Sequence, residues 1–297
     1  MNTTEEKQMK NPLGYKSEKG LLFQFAVPSI IAMLVGSLYN IVDQFFIGHS
    51  VGELGNAATN ISFPLSISCV AISLLFGIGG ASAFNISMGA GEKKKAVYYL
   101  GNSAVMLFSC GIVLCVITLM FLEPLLRFFG SPNNVLDYAK TYTGIIAFGF
   151  PFLILTTGGG HLIRADGRPK VSMICNLTGA IVNTFLDALF VFGLNMGMRG
   201  AALATIIGQV LSAIMVIWCL SHCKTVSVGK EHLRVRKKII SRIISLGTAP
   251  FSNQLAMMVV QIVMNKSLKY YGSISVYGEA VPIACAGIIT KVNQVFM

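Results

Sequence analysis

The sequence predicts an all-α integral membrane protein: a six-helix N-terminal lobe, followed by the first two helices of a parallel pseudo-repeat of that lobe. Three observations carry this reading. Only 12% of the 297 residues are charged and 54% are hydrophobic, whereas an ordinary soluble domain carries about 25% charged residues. Long apolar runs recur along the chain with short connectors between them, and each run reaches the roughly 20 residues that a helix needs to cross a bilayer. The Lys and Arg residues gather in alternate connectors, the pattern that orients a multi-pass protein.

Residues 1–20 are polar and charged and form a tail. The apolar run after them, about 21–47, is too long for the core of a signal peptide, and no small-residue cleavage site ends it. It reads as a retained first helix. Further spans fall at about 57–86, 97–122, 138–158, 171–193 and 200–221, which completes an N-terminal lobe over 21–221. Turn residues mark several connectors: Gly52 and Gly55, Gly130-Ser131-Pro132, and Gly167-Arg168-Pro169. The longest and most basic connector, 222–242, links this lobe to an incomplete second lobe, 243–297, with spans at about 243–266 and 277–297. The stretches FAVPSIIAMLVGSLYNIVDQFFI and GTAPFSNQLAMMVVQIVMNKSLK align with Pro28 on Pro250, which sets Asn265 opposite Asp43. Six spans per unit mean that the second unit enters the membrane the same way up, as in a parallel repeat. On this reading the chain stops less than two helices into its second unit, as a truncated product would.

Charge decides orientation. The tail and the even connectors hold Lys7, Lys10, Lys16 and Lys19, then Lys93, Lys94 and Lys95, then Arg164, Arg168 and Lys170, then Lys224, Lys230, Arg234, Arg236, Lys237, Lys238 and Arg242. The other side holds Arg127, Lys140, Arg199, Lys266 and Lys269. This asymmetry puts the N-terminus and the even connectors in the cytoplasm, and the protein in the cell (plasma or inner) membrane. The net charge of +11 invites a nucleic-acid partner, but no folded basic module of the usual kinds is present. The bilayer is the partner instead. The seven Cys lie in or beside apolar runs with no CxxC pair and read as small buried hydrophobes. No nucleophile–base arrangement supports an enzyme. FGIGGASA, 76–83, lacks the strand–turn–helix setting of a dinucleotide loop and reads as close helix packing.

Among the twelve acidic residues, only Asp43 and Asp187 lie well inside expected spans. A charge at a helix centre costs roughly 2.5–3.5 kcal/mol to insert, so such residues face the bundle interior or a water-filled cavity. The first and fifth spans run outward and the fourth and sixth run inward, which puts Asp43, Asp187, Tyr142 and Thr205 at one depth in the outer half. Asn183 stands four residues before Asp187, on the same helix face. The set resembles a small oxygen-lined cage. Oxygen donors suit a hard cation, and a pair of buried carboxylates suits a proton. The plainer reading is that Asn183 and Asp187 only join helices by hydrogen bonds. Pro28 inside the first span removes a backbone hydrogen bond and invites a bend, either a fixed kink or a moving one.

Several stretches together resemble the multidrug and toxic-compound extrusion (MATE) family of cation-coupled antiporters, in its DinF/MepA-like bacterial branch. They are YNIVDQFFIG (39–48), FGIGGASAFNISMGAGEKKKA (76–96), YTGIIAFGFPF (142–152) and IRADGRPKVSMICNLTGAIVNTFLDALFVFGLNMGMRGAALAT (163–205). The resemblance covers nearly the whole chain. It implies the N-terminal half of a twelve-helix, two-lobed exporter of drugs and other organic cations, working by alternating access. It also implies a cation site at Asp43, Tyr142, Asn183, Asp187 and Thr205, and a basic residue on the eighth helix, here Lys291. The implied coupling ion is H⁺ or Na⁺, with no further cofactor and no metal beyond that ion. The implied partners are small, cationic amphipathic molecules and the missing second lobe, which transport would need. Two rivals stand beside it. A lipid-linked oligosaccharide flippase of related architecture would carry several Arg or Lys at depth, and the first six spans show none. An inactive fragment or membrane scaffold would tolerate replacement of Asp43 and Asp187.

Overall fold

The computed structural model describes residues 18–226 and 229–296. Most of the expected N-terminal tail, residues 1–17, therefore lies outside the described residues, as do 227–228 of the linker and Met297. Every regular element among the described residues is helical: α1 (Glu18–Val51), α2 (Glu53–Gly89), α3 (Lys93–Met120), α4 (Leu122–Phe128), α5 (Asn133–Ile146), α6 (Phe150–Ala165), α7 (Pro169–Asp187), α8 (Gly197–Ser221), α9 (Lys237–Ser273) and α10 (Ala280–Phe296). Short 3-10 turns lie at Ala147–Gly149 and Lys230–Leu233, and a π-helical turn at Ala188–Gly193.

Among these residues, seven helical stretches are long and apolar enough to cross a membrane: Ala26–Val51, Glu53–Gly89, Lys93–Met120, Asn133–Ala165, Pro169–Gly193, Gly197–Ser221 and Lys237–Ser273. The expected eighth span corresponds to a shorter apolar helix, Ala280–Asn293 within α10. The helices overrun the expected boundaries because hydropathy marks the hydrocarbon layer, while hydrogen bonding continues into the polar interface. The expected connector 48–56 shrinks to Gly52, whose φ of 75° and ψ of −153° break the helix between Val51 and Glu53. Likewise α9 begins at Lys237, inside the stretch expected to be linker. The fourth span is interrupted at Ala147–Gly149 because Pro151 has no N–H to offer the Ala147 carbonyl; Phe150 N–H takes that carbonyl instead and tightens the turn.

The centre of the bundle is α2, which packs against α3, α5, α6, α9 and α10. Glycines make this possible. A side chain on Gly77 would collide with the backbone of Gly158 in α6, and one on Gly79 with the backbone of Ile243 in α9. In turn, Gly247 of α9 lies against the Leu75 carbonyl. The FGIGGASA stretch is thus a close helix crossing. Outward faces are apolar: Val113, Val116, Ile117, Met120, Phe185 and Ile214 are all exposed, as a lipid contact requires and water would penalise. Aromatic residues with polar tips mark both ends, Trp218 near one and Tyr270, Tyr271 and Tyr277 near the other. The described residues thus form the multi-pass helical bundle of a membrane protein. Each of the seven Cys is free; Cys69, Cys115, Cys175 and Cys219 are buried as small hydrophobes, while Cys285 is exposed.

Candidate functional site: a buried carboxylate pair beside two joined cavities

Five side chains singled out from the sequence converge between α1, α5, α7 and α8. Asp43 (α1) is 4% exposed and Asp187 (α7) is fully buried. Asn183 lies one turn before Asp187 on α7, and its Nδ2 donates to Thr205 Oγ1 of α8 at 3.3 Å. Thr205 is itself held by the Ala201 carbonyl at 3.0 Å. Tyr142 of α5 is buried beside them. The two carboxylates lie on the packed helices α1 and α7, and Lys291 of α10 lines the same small cavity as Asp43, with the opposite charge. Both Asp187 oxygens, one Asp43 oxygen and the Asn183 carbonyl oxygen are buried without a hydrogen-bond donor. A buried acceptor left in this state costs about 1–3 kcal/mol, and a buried charge more. The local fold adds a wider turn: directly after Asp187 the helix opens into a π turn, closed by Leu194 N–H on the Leu189 carbonyl at 2.9 Å. Such turns recur at functional sites.

Two cavities meet here. The smaller, about 280 Å³, is lined by Asp43, Tyr142, Thr205, Gln209 and Lys291 among others. The larger, about 1000 Å³, lies between α1, α7, α8, α9 and α10 and carries Asn183, Thr205 and Gln209 on its wall. Thr205 and Gln209 border both. Asp187 borders neither and stands behind Asn183. Pro28 lies apart from this group: α1 continues through it as helix, and it precedes Asp43 by fifteen residues, roughly 22 Å along the axis.

Beyond Asn183 and Asn265, sequence reasoning missed the amides. Lys291 Nζ donates to Gln44 Oε1, and Gln44 Nε2 in turn to Asn56 Oδ1, while Thr59 Oγ1 donates to Gln44 Oε1 at 3.1 Å. Gln209 keeps a buried, unpartnered Oε1. A second group, Asn60, Gln261 and Asn265, joins α2 to α9: Gln261 Nε2 donates to Asn60 Oδ1 at 3.2 Å and to Asn265 Oδ1 at 3.1 Å. The available signal was amides inside apolar runs, read with the same attention as the acids. His232 packs against the ring of Tyr98 at 4.8 Å between centroids.

Comparison with known proteins gives this site its family. The MatE family profile matches residues 28–189. The chain is 26% identical over 306 residues to the multidrug export protein MepA of Staphylococcus saprophyticus, covering 97% of this chain and 68% of the relative. It is 28% identical over 256 residues to the protein of the same name from Staphylococcus haemolyticus, covering 86% and 57%. Its fold matches the structure of the MATE multidrug transporter DinF-BH with a TM-score of 0.88 at 29% identity, over 98% of this chain and 64% of that one. The chain thus spans about two thirds or less of the length of these proteins. The profile takes in the α1 and α7 carboxylates and more than half of the chain, so this chain belongs to the MatE family, whose members are membrane transporters and not enzymes.

Proposed function

We propose that this chain is the cation-binding lobe, with the opening of the second lobe, of a two-lobed antiporter that exports cationic amphipathic molecules across the cell membrane in exchange for H⁺ or Na⁺. The proposed layout is a cytoplasmic tail (1–20), an N-lobe (21–221), a basic cytoplasmic linker (222–242) and a second-lobe segment (243–297). The single observation that carries the reading is the buried pair Asp43 and Asp187 with its unpartnered oxygens. Lys291 can balance one negative charge; a proton or a metal cation is needed to balance the other. Asn183, Thr205 and Tyr142 supply neutral oxygens for that ion. No other cofactor enters.

The larger cavity suits the exported molecule. Met33, Met257 and Met264 line it together with Asn40, Asn253, Gln254 and Asn293. Methionine adapts to varied apolar shapes, and amide oxygens accept the polar end of a cation. Because Asn183 and Thr205 belong to both the ion site and this wall, ion binding on one side repacks the other. Export is driven if the ion binds one conformation more tightly, which is the differential affinity that alternating access requires. The relatives named multidrug export proteins support drugs as the cargo.

The test is ethidium efflux from cells expressing the full reading frame, with and without a sodium gradient and then with a proton uncoupler. Loss of efflux in one condition is expected and identifies the ion. Normal efflux and normal ion dependence in both Asp43→Asn and Asp187→Asn variants would overturn the ion site.

A further inference from the structure

Away from the carboxylate pair, a second concavity is built where α3 and α9 begin. It has a volume of about 820 Å³ and is lined by Lys94, Lys95, Arg236, Lys238 and Arg242, with Tyr98 and Tyr99 on its wall. Its one acid, Glu92, is taken by Lys95 at 2.9 Å. Among the described residues, Lys94, Lys238 and Arg242 have no carboxylate partner. We propose that this groove binds a phosphate mono- or diester, the group carried by anionic phospholipid heads and by free phosphorylated solutes.

The groove is a built feature, not a run of solvated lysines. Asn102 of α3 is fully buried and clamps the linker: its Nδ2 donates to the His232 and Arg234 carbonyls, each at 3.2 Å, and its Oδ1 accepts from Arg236 N–H at 2.9 Å. Gly101 beside it has no side chain to keep the His232 carbonyl away. This clamp draws the linker onto α3 and sets the start of α9 next to the start of α3. Arg236 is then fixed with its guanidinium 3.9 Å above the ring of Tyr98, an arrangement that leaves its edge N–H groups free to fork onto phosphate oxygens. Neither helix start carries a side-chain cap, so their N–H groups and dipoles add positive potential to that of the side chains. The apolar spans α3 and α9 leave the groove directly, which places it where lipid head groups lie. Basic pockets between spanning helices hold anionic head groups by this chemistry.

The test is native mass spectrometry of the purified protein exchanged into phosphatidylcholine alone, or with added phosphatidylglycerol, inorganic phosphate or pyrophosphate. Preferential retention of phosphatidylglycerol identifies a lipid head-group site, and saturable retention of phosphate or pyrophosphate identifies a soluble ligand. In either case the Lys94→Gln/Lys238→Gln/Arg242→Gln variant is expected to lose retention about tenfold or more. A control pair at the far end of the bundle, Arg199→Gln/Lys266→Gln, is expected to retain it. Equal retention by the triple variant and the unaltered protein, or equal loss in the control pair, would sink the proposal. If the triple variant cannot be purified, retention by the unaltered protein must fall as salt rises; salt-independent retention is equally decisive against it.

Discussion

Lys291 of α10 donates its ammonium to Gln44 of α1, the neighbour of Asp43. Lys291 is only 8% exposed, so its charge is felt over several ångströms by whatever shares the pocket. It lines the same small cavity as Asp43, and α7, which carries Asp187, packs against α1. A resident cation on α10 therefore balances part of the charge at a site on α1 and α7. Any ion entering at Asp43 works against it.

That relationship gives the first prediction. Lys291→Met keeps the apolar stem and removes the ammonium. The carboxylate pair then lacks its resident counter-charge, so the proposed coupling ion should bind more tightly. In the full-length transporter the ion concentration for half-maximal efflux is expected to fall about tenfold, with turnover reduced because the ion leaves more slowly. An unchanged ion dependence would show that Lys291 and the ion do not compete.

The carboxylates make a prediction with two opposed signs. An Asp187→Asn variant removes a buried charge whose two oxygens lack donors. Stability in detergent is expected to rise by about 1–3 kcal/mol, read as a higher melting temperature. Efflux is expected to fall at least about tenfold, since an amide cannot exchange the ion's charge. A variant that loses both stability and transport would make the pair a structural element instead.

How much of this was legible follows from what stands out against an apolar background. Asp43 and Asp187 are conspicuous because an acid in a spanning helix is expensive, and a count of inward and outward spans was enough to group them with Tyr142 and Thr205. Asn60 and Gln261 were not conspicuous, because an amide costs far less and its partner lies about two hundred residues away. Only the docking of α9 on α2 reveals that contact. The π turn after Asp187 leaves no mark in composition at all. Helix ends were blurred for another reason: Lys237 and Lys238 are good helix formers, so α9 starts among charges that hydropathy assigns to a linker.

The crossing of α2 and α9 makes a third prediction. Gly247 lies so close to the Leu75 carbonyl that a methyl group has no room, and the obstacle is backbone, which cannot rotate aside. Gly247→Ala is expected to push the helices apart and lower stability by about 1–3 kcal/mol. The Asn60–Gln261–Asn265 contacts would loosen with it. Thermal unfolding in detergent measures the loss. Gly36→Ala is the control, because nothing lies within 4 Å of a side chain there, and it should change stability little.

The last prediction concerns the start of the linker. Asp166, in the loop between α6 and α7, is almost wholly buried. It accepts the N–H groups of Lys224 at 3.0 Å and Thr225 at 3.1 Å, and the Thr225 hydroxyl. Arg168 Nε stands 2.7 Å from Asp166 Oδ2, the oxygen that also takes the Lys224 N–H, in charge contact though without hydrogen-bond alignment. The same guanidinium donates to the Cys219 carbonyl at 2.8 Å and the His222 carbonyl at 3.1 Å. One carboxylate thus ties the end of α8 to the start of α7. Asp166→Ala leaves a buried guanidinium without its counter-charge and strands two backbone donors, at a cost of about 3–5 kcal/mol. The damage should be local. Protease cleavage and amide exchange are expected to increase across 219–226 first, while the α2–α9 crossing keeps its protection. Uniform loss of protection throughout the bundle would instead mean that this staple holds the whole fold together.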